Sequence, residues 1–278
     1  MVSQQTISNP FSLSGVGLHS GAQATVTVSP AQPNAGRYFV YQGHIIPASL
    51  ETVGETILST QLKAGGASVR TVEHLLAALW GMEIDNAQID IDSAEIPILD
   101  GSARPWVEAI ASVGTEVQPE PRHIVALGEV VSVQQGDAFA IALPSDVLRF
   151  TYGIEFPTRA IGTQWFSWMP SMGNFASEVA PARTFTMAQQ VEQLQAMGLI
   201  KGGSLDNAIV CNDKEWLNPP LRFNDEPCRH KLLDLIGDIS LLGWLPKAHI
   251  VVFKASHALH AQFAQALLST EGDRSDHP

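Results

Sequence analysis

The chain has 278 residues, 45% of them apolar, and its 16 basic against 28 acidic residues leave a formal charge of −12. That acidity excludes a surface that holds nucleic acid or anionic lipid mainly by charge, although a few local cations would still suit an anionic small molecule. Cys211 and Cys228 make neither a disulfide framework nor a thiolate zinc knuckle, no apolar run reaches the ~18 residues of a membrane span, and the start MVSQQTISNPFSLSG lacks the basic and apolar regions of a signal peptide. The expectation is a soluble protein of a reducing, cytoplasmic compartment.

The first strand signals are residues 24–30 (ATVTVSP), which alternate with period two, and 37–42 (RYFVYQ), rich in aromatic and β-branched residues. A helix is predicted over 71–80, with Val72, Leu75, Leu76 and Leu79 at helical spacing and Thr71 as its N-cap. A strand at 86–92 and a helix at 103–112 follow. Residues 117–123 (VQPEPRH) carry two prolines and no periodicity, so the division falls there. This gives an α+β domain over 1–116 and a second over 117–278. Strands are predicted at 124–134, 138–143, 148–155 and 163–168, an amphipathic helix at 186–200 with Val191, Leu194 and Met197 on one side, and a helix at 227–242 with Pro227 in its first turn. A strand at 249–254, a helix at 257–268 and a frayed polar tail (TEGDRSDHP) complete the chain. Each half therefore ends in helix, strand, helix after a set of strands. That order points to a duplicated unit, with a βαβ-like insert near 184–205 in the second copy.

Three constellations carry chemistry. On the 227–242 helix, His230 and Asp234 are four residues apart and share a face. That suits two ligands of one metal, and it equally suits an (i, i+4) ion pair. Crowding by Leu232, Leu233, Leu235 and Ile236 favours burial, where a carboxylate needs a partner. Asp238 is rotated further and is better placed to orient a neighbour. The second constellation, Glu73-His74, opens the 71–80 helix. It offers a base and a ligand together, or a dipole-matched Glu beside a core histidine. Pseudo-symmetric packing would bring both helices to one interface, and two histidines with one carboxylate form a catalytic zinc set. In the third, His257 follows a strand and opens a helix; paired with Asp238 it would donate a proton near neutral pH, and alone it would be a plain cap. His260 has no partner recognisable in the sequence.

The stretches GVGLHSG (15–21), TVEHLLAALWGMEIDNAQIDID (71–92), EIPILDGSA (95–103), ARTF (182–185), GLIKGGSLDNAIV (198–210), LRFNDEPCRHKLLDLIGD (221–238) and KASHAL (254–259) span nearly the whole chain in order. Together they make it resemble the UDP-3-O-acyl-N-acetylglucosamine deacetylase family. The resemblance implies two similar α+β domains, each a helix-and-sheet layered sandwich, with the active site between them. It implies Zn²⁺, or Fe²⁺ in the cell, on His74, His230 and Asp234, with Glu73 as general base, His257 as general acid and Asp238 orienting it. Thr184 and Lys231 match positions near the developing oxyanion, and His19 a histidine of the site region. Phe185, Val191, Ile200, Gly203 and Leu205 match substrate contacts and the walls of an acyl passage. Lys254, close to His257, is the cation expected for the diphosphate.

The implied activity is removal of the N-acetyl group from UDP-3-O-(3-hydroxyacyl)-N-acetylglucosamine, the committed step of lipid A biosynthesis. The implied partner is that small molecule alone, for a monomer without nucleic acid or membrane span. Two departures stand out: Ile154-Glu155-Phe156-Pro157-Thr158-Arg159 lacks the family's His-Pro pair, and Lys201 occupies a commonly apolar place. A catalytically silent sugar-nucleotide-binding module on the same fold is the alternative. Retention of Glu73, Asp238 and His257 speaks against it, because a binder needs none of them.

Overall fold

Alternation of buried and solvent-facing side chains builds the sheets. In the strand Gln23–Pro30, Ala24, Val26 and Val28 point inward while the threonines between them face outward. A computed structural model describes residues 2–275 of the chain. Among these residues the first large sheet runs in the order Phe11–Val16, Gln23–Pro30, Ala87–Ile91, Arg37–Tyr41, His44–Pro47. The second runs Val131–Gln135, Ala138–Pro144, Leu245–Phe253, Arg149–Glu155, Thr163–Trp168, with a sixth strand, Ile124–Ala126, paired parallel to the start of Leu245–Phe253.

The two sheets have one plan. In each, the last strand to appear in the sequence enters the middle and runs parallel to the third, and every other pair along the order is antiparallel. A parallel neighbour cannot be reached by a tight turn, so a helical crossover must precede it. Six α-helices form among the described residues: α1 (Glu73–Gly81), α2 (Arg104–Val113), α3 (Phe175–Glu178), α4 (Ala188–Ala196), α5 (Glu226–Ile239) and α6 (His257–Ser275). Of these, α1 and α5 lead into the two central strands. They pack on each other and are buried on nearly every face. This explains why neither shows a wide polar stripe. Buried apolar residues of both halves form one continuous core, with Phe39, Leu75 and Trp106 from the first half and Phe150, Leu232 and Phe263 from the second.

Several details differ from the elements expected from the sequence. Thr71 does not cap α1: Val72 holds the N-cap position, and the Thr71 hydroxyl donates to Glu95 Oε1 at 3.1 Å. Residues Thr115–Pro121 form a strand antiparallel to Ser3–Ile7. The Thr115–Pro121 strand leaves most of its side chains exposed, so no alternation marks it, and such an edge tolerates its prolines. The 124–134 segment is two strands, Ile124–Ala126 and Val131–Gln135, with Gly128 in the turn between them. The tail is helical to Ser275, since helix propagation adds a hydrogen bond per residue without needing an apolar stripe. Residues 276–278, including His277, lie outside the described residues. The insert forms the strand Phe185–Met187, then α4, then Ile209–Cys211 parallel to the first. Gly198, at φ 78°, turns the chain away after α4, short of the predicted end at 200.

Candidate active site

The site begins with one glycine. A Cβ added to Gly237 on α5 would stand 2.2 Å from the carbonyl oxygen of Glu73, so only glycine lets α5 approach the first turn of α1 this closely. That approach faces His74 of α1 toward His230 and Asp234 of α5. His230 Nε2 lies 3.3 Å and His74 Nε2 3.5 Å from Asp234 Oδ1. The two imidazole centroids are 4.9 Å apart and perpendicular.

Proton accounting shows what the three can hold. His230 Nδ1 is 3.0 Å from the Ala182 carbonyl, which only accepts, so Nδ1 carries the proton and Nε2 keeps its lone pair. Burial lowers the His230 pKa to about 4, so the ring is neutral. Asp234 is ionised: burial works against the charge, but the positive charge around it, the Lys231 ammonium 2.9 Å from Oδ2 included, holds the carboxyl well below its usual range. Its other oxygen, Oδ1, is buried without a hydrogen-bond partner. An orphaned carboxylate oxygen facing two imidazole nitrogens fits a cation, and two histidines with one carboxylate are a donor set that Zn²⁺ or Fe²⁺ accepts.

Glu73, one residue before His74, is buried beside this cluster, and its Oε2 accepts the Thr60 N–H at 3.0 Å. Burial raises its pKa, and His257 and His74 offset part of the rise. His257 opens α6. Its Nδ1 is 2.7 Å from Asp238 Oδ2, and its Nε2 is 4.0 Å from Asp234 Oδ2, so the ring spans from its carboxylate to the cluster. Burial alone would lower the His257 pKa; Asp238 outweighs it and carries it to about 9. For Asp238, burial is outweighed by His257, which leaves the carboxyl at about 2.

Glu73, His74, His230, Asp234 and His257 line a cavity of about 840 Å³ together with Lys231, Thr184, Phe185, Val191, Ile200, Gly203 and Leu205, while Asp238 lies behind His257. His19 also lines it. Both of its ring nitrogens are buried without a partner, and burial, helped by Arg70, lowers its pKa to about 4. No residue of α4 is fully buried, so its apolar side turns to the cavity rather than to the core. Lys254 is the predicted site residue that is not brought here. Its ammonium pairs with Asp137 and, at 3.1 Å, with Glu155, outside the cavity wall.

Other site residues escaped the sequence reading. The hydroxyl of Thr60 donates to Asp238 Oδ1 at 2.5 Å, from a loop without periodicity. Buried Glu95 accepts the N–H groups of His19 at 2.8 Å and Ser20 at 2.7 Å, and so holds the 15–21 loop over the cavity. An isolated charge in the apolar run Ala94-Glu95-Ile96-Pro97-Ile98 was its signal. His260 Nδ1 is 2.8 Å from Asp238 Oδ2, and its position three residues after His257 on one helix face was its signal.

A family profile described as "LpxC: UDP-3-O-acyl N-acetylglycosamine deacetylase" matches residues 4–269. The UDP-3-O-acyl-N-acetylglucosamine deacetylase of Thermosynechococcus vestitus is 55% identical over 268 residues, covering 95% of this chain and 93% of its own. That of Trichormus variabilis is 53% identical over 275 residues, with 96% and 98% covered. A probable mitochondrial deacetylase of the same name from Arabidopsis thaliana is 46% identical, with 95% and 87% covered.

Proposed function

Because the chain belongs to the LpxC family, we propose that it hydrolyses the N-acetyl group of UDP-3-O-(3-hydroxyacyl)-N-acetylglucosamine, using a metal held by His74, His230 and Asp234. The observation that carries this reading is the meeting of those three donors with Glu73 and His257, the latter backed by Asp238, on the wall of one cavity with apolar lining. The group that such donors hold supplies Lewis acidity when bound, polarising the acetamide carbonyl and activating water near neutral pH.

The chain's own residues do the rest. Glu73, with its pKa raised by burial, takes the proton of the attacking water. The Thr184 hydroxyl and the Lys231 ammonium line the same space and stabilise the oxyanion that develops on the former carbonyl. His257 enters the reaction protonated and gives its Nε2 proton to the departing sugar amine, which is otherwise too basic to leave; Asp238 keeps the ring charged and aimed. Val191, Ile200, Gly203 and Leu205 border the acyl chain, each buried CH₂ contributing about 0.8 kcal/mol. His19 and Phe185 contact the sugar nucleotide. Zinc as the metal, Fe²⁺ as its substitute in the cell, the committed place in lipid A biosynthesis, action as a cytoplasmic monomer, and two units joined near residues 117–123 belong to the same proposal.

The test is acetate release from UDP-sugars with 3-hydroxyacyl chains of several lengths, with and without a chelator. We expect turnover that the chelator abolishes and Zn²⁺ restores. Binding of the nucleotide with no acetate released at any chain length would favour the silent module instead.

A further inference from the structure

Asp238 is an acceptor-only carboxylate buried at 2% exposure, so every group against it must donate. Thr60 Oγ1 supplies one proton to Oδ1 at 2.5 Å. Two imidazoles share the other oxygen: His257 Nδ1 at 2.7 Å and His260 Nδ1 at 2.8 Å. Their rings stand at 80° with centroids 5.9 Å apart, so they approach Oδ2 from different directions. His260 in turn is held from behind. Its Nε2 is 3.1 Å from the Tyr152 hydroxyl, and that hydroxyl is 3.0 Å from the Ala255 carbonyl, two residues before His257. Tyr152 and His260 are both buried and stack edge to face. His260 is neither one of the donors His74, His230 and Asp234 nor a lining residue of the cavity; it sits behind His257, in a second close cluster with Asp238 and His257.

We propose that His260, backed by Tyr152, is a positioning residue for the reaction: by donating to the same oxygen of Asp238 that accepts from His257, it fixes the carboxylate in the orientation that aims His257. The physical reason is rotational. With one donor on Oδ2 and one on Oδ1, the carboxylate can turn about its Cβ–Cγ bond and carry the His257 ring with it. A second donor on Oδ2, itself anchored to a tyrosine, removes that freedom.

The proposal rests on the reading of His257 as proton donor, and the experiment separates the two. In His260→Leu the Oδ2 donor is lost, and we expect kcat to fall roughly ten- to a hundredfold, the effect of a hydrogen bond to a charged group. KM and metal content should stay as in the wild type. In His260→Asn an amide N–H replaces the ring N–H, and most of the loss should be recovered. Tyr152→Phe should lower kcat less than tenfold, again at constant KM. Independently of turnover, proton NMR of the metal-loaded wild type should show two downfield imidazole N–H resonances, and His260→Asn should remove one and shift the other. Equal kcat losses in the Leu and Asn variants, an unchanged kcat in folded His260→Leu or in Tyr152→Phe, or a remaining resonance that does not move would overturn the proposal. If His260→Leu fails to fold, the Asn and Phe variants and the spectrum still decide it. A wild type that releases no acetate while its spectrum behaves as expected would count against the function alone.

Discussion

Replacing Gly237 with alanine perturbs the one contact on which the meeting of the two halves depends. The new Cβ would stand 2.2 Å from the Glu73 carbonyl oxygen, 2.8 Å from its carbon and 2.9 Å from its Cα. Carbon pairs are content at about 3.5–4.0 Å, so α1 and α5 must separate by roughly 1 Å. All three neighbours are backbone, and no side-chain rotation relieves the clash. Overpacking of this kind costs about 1–3 kcal/mol, and about 2–4 °C in Tm per kcal/mol at this chain length. The chemical cost is larger, because the same separation pulls His74 from His230 and Asp234, and a displacement of ~1 Å at a reacting centre costs about a hundredfold in rate. Gly237→Ala is therefore expected to bind metal more weakly and to lose about a hundredfold in kcat/KM while still folding. Thermal melts, metal content and deacetylation, measured on one preparation, check this. A variant with wild-type metal content and wild-type turnover would refute the argument that Gly237 sets the spacing.

Glu73→Gln keeps the volume and removes the carboxylate proposed as the base. Metal content should persist while kcat falls about 10²–10⁴-fold, and equal activity would reject the role. In the metal-free protein, NMR titration of His257 should give a midpoint near 9, against 6.5 for a free imidazole, and Asp238→Asn should bring it down. The linked stability has a definite window. The His257 share is complete below about 6.5 and is lost as pH rises through 9; the Asp238 share is complete above 3.8 and is lost as pH falls through 2. A flat stability between pH 7 and 10 in the metal-free protein would contradict it. Glu95→Gln places an amide where two N–H groups and a hydroxyl now donate. It should cost about 1–3 kcal/mol of stability and raise KM with metal content unchanged, since the carboxylate holds the loop that carries His19.

What could be read from the sequence follows how local each signal is. His230 and Asp234 are four residues apart on one helix, so their shared face is a matter of helical geometry. The duplicated plan shows in element order, because each central parallel strand demands a helix before it. Val191 and Leu194 form a visible stripe, though spacing alone does not say that a cavity rather than the core receives it. Thr60 meets Asp238 across 178 residues and Tyr152 meets His260 across 108, and no periodicity records such a pairing. Thr71 carries a cap residue's chemistry, yet at φ 60° its hydroxyl turns to Glu95 instead. Lys254 is three residues from His257 in sequence; its own φ of 54° turns the chain, and its ammonium meets Asp137 and Glu155.

The central claim, that one ion joins the two halves through His74, His230 and Asp234, is tested most directly by metal stoichiometry. The purified chain, loaded with Zn²⁺ and desalted, is expected to hold one ion per molecule, and folded His74→Ala, His230→Ala and Asp234→Ala variants far less. A wild type that retains none, or variants that each keep a full equivalent, would contradict the account.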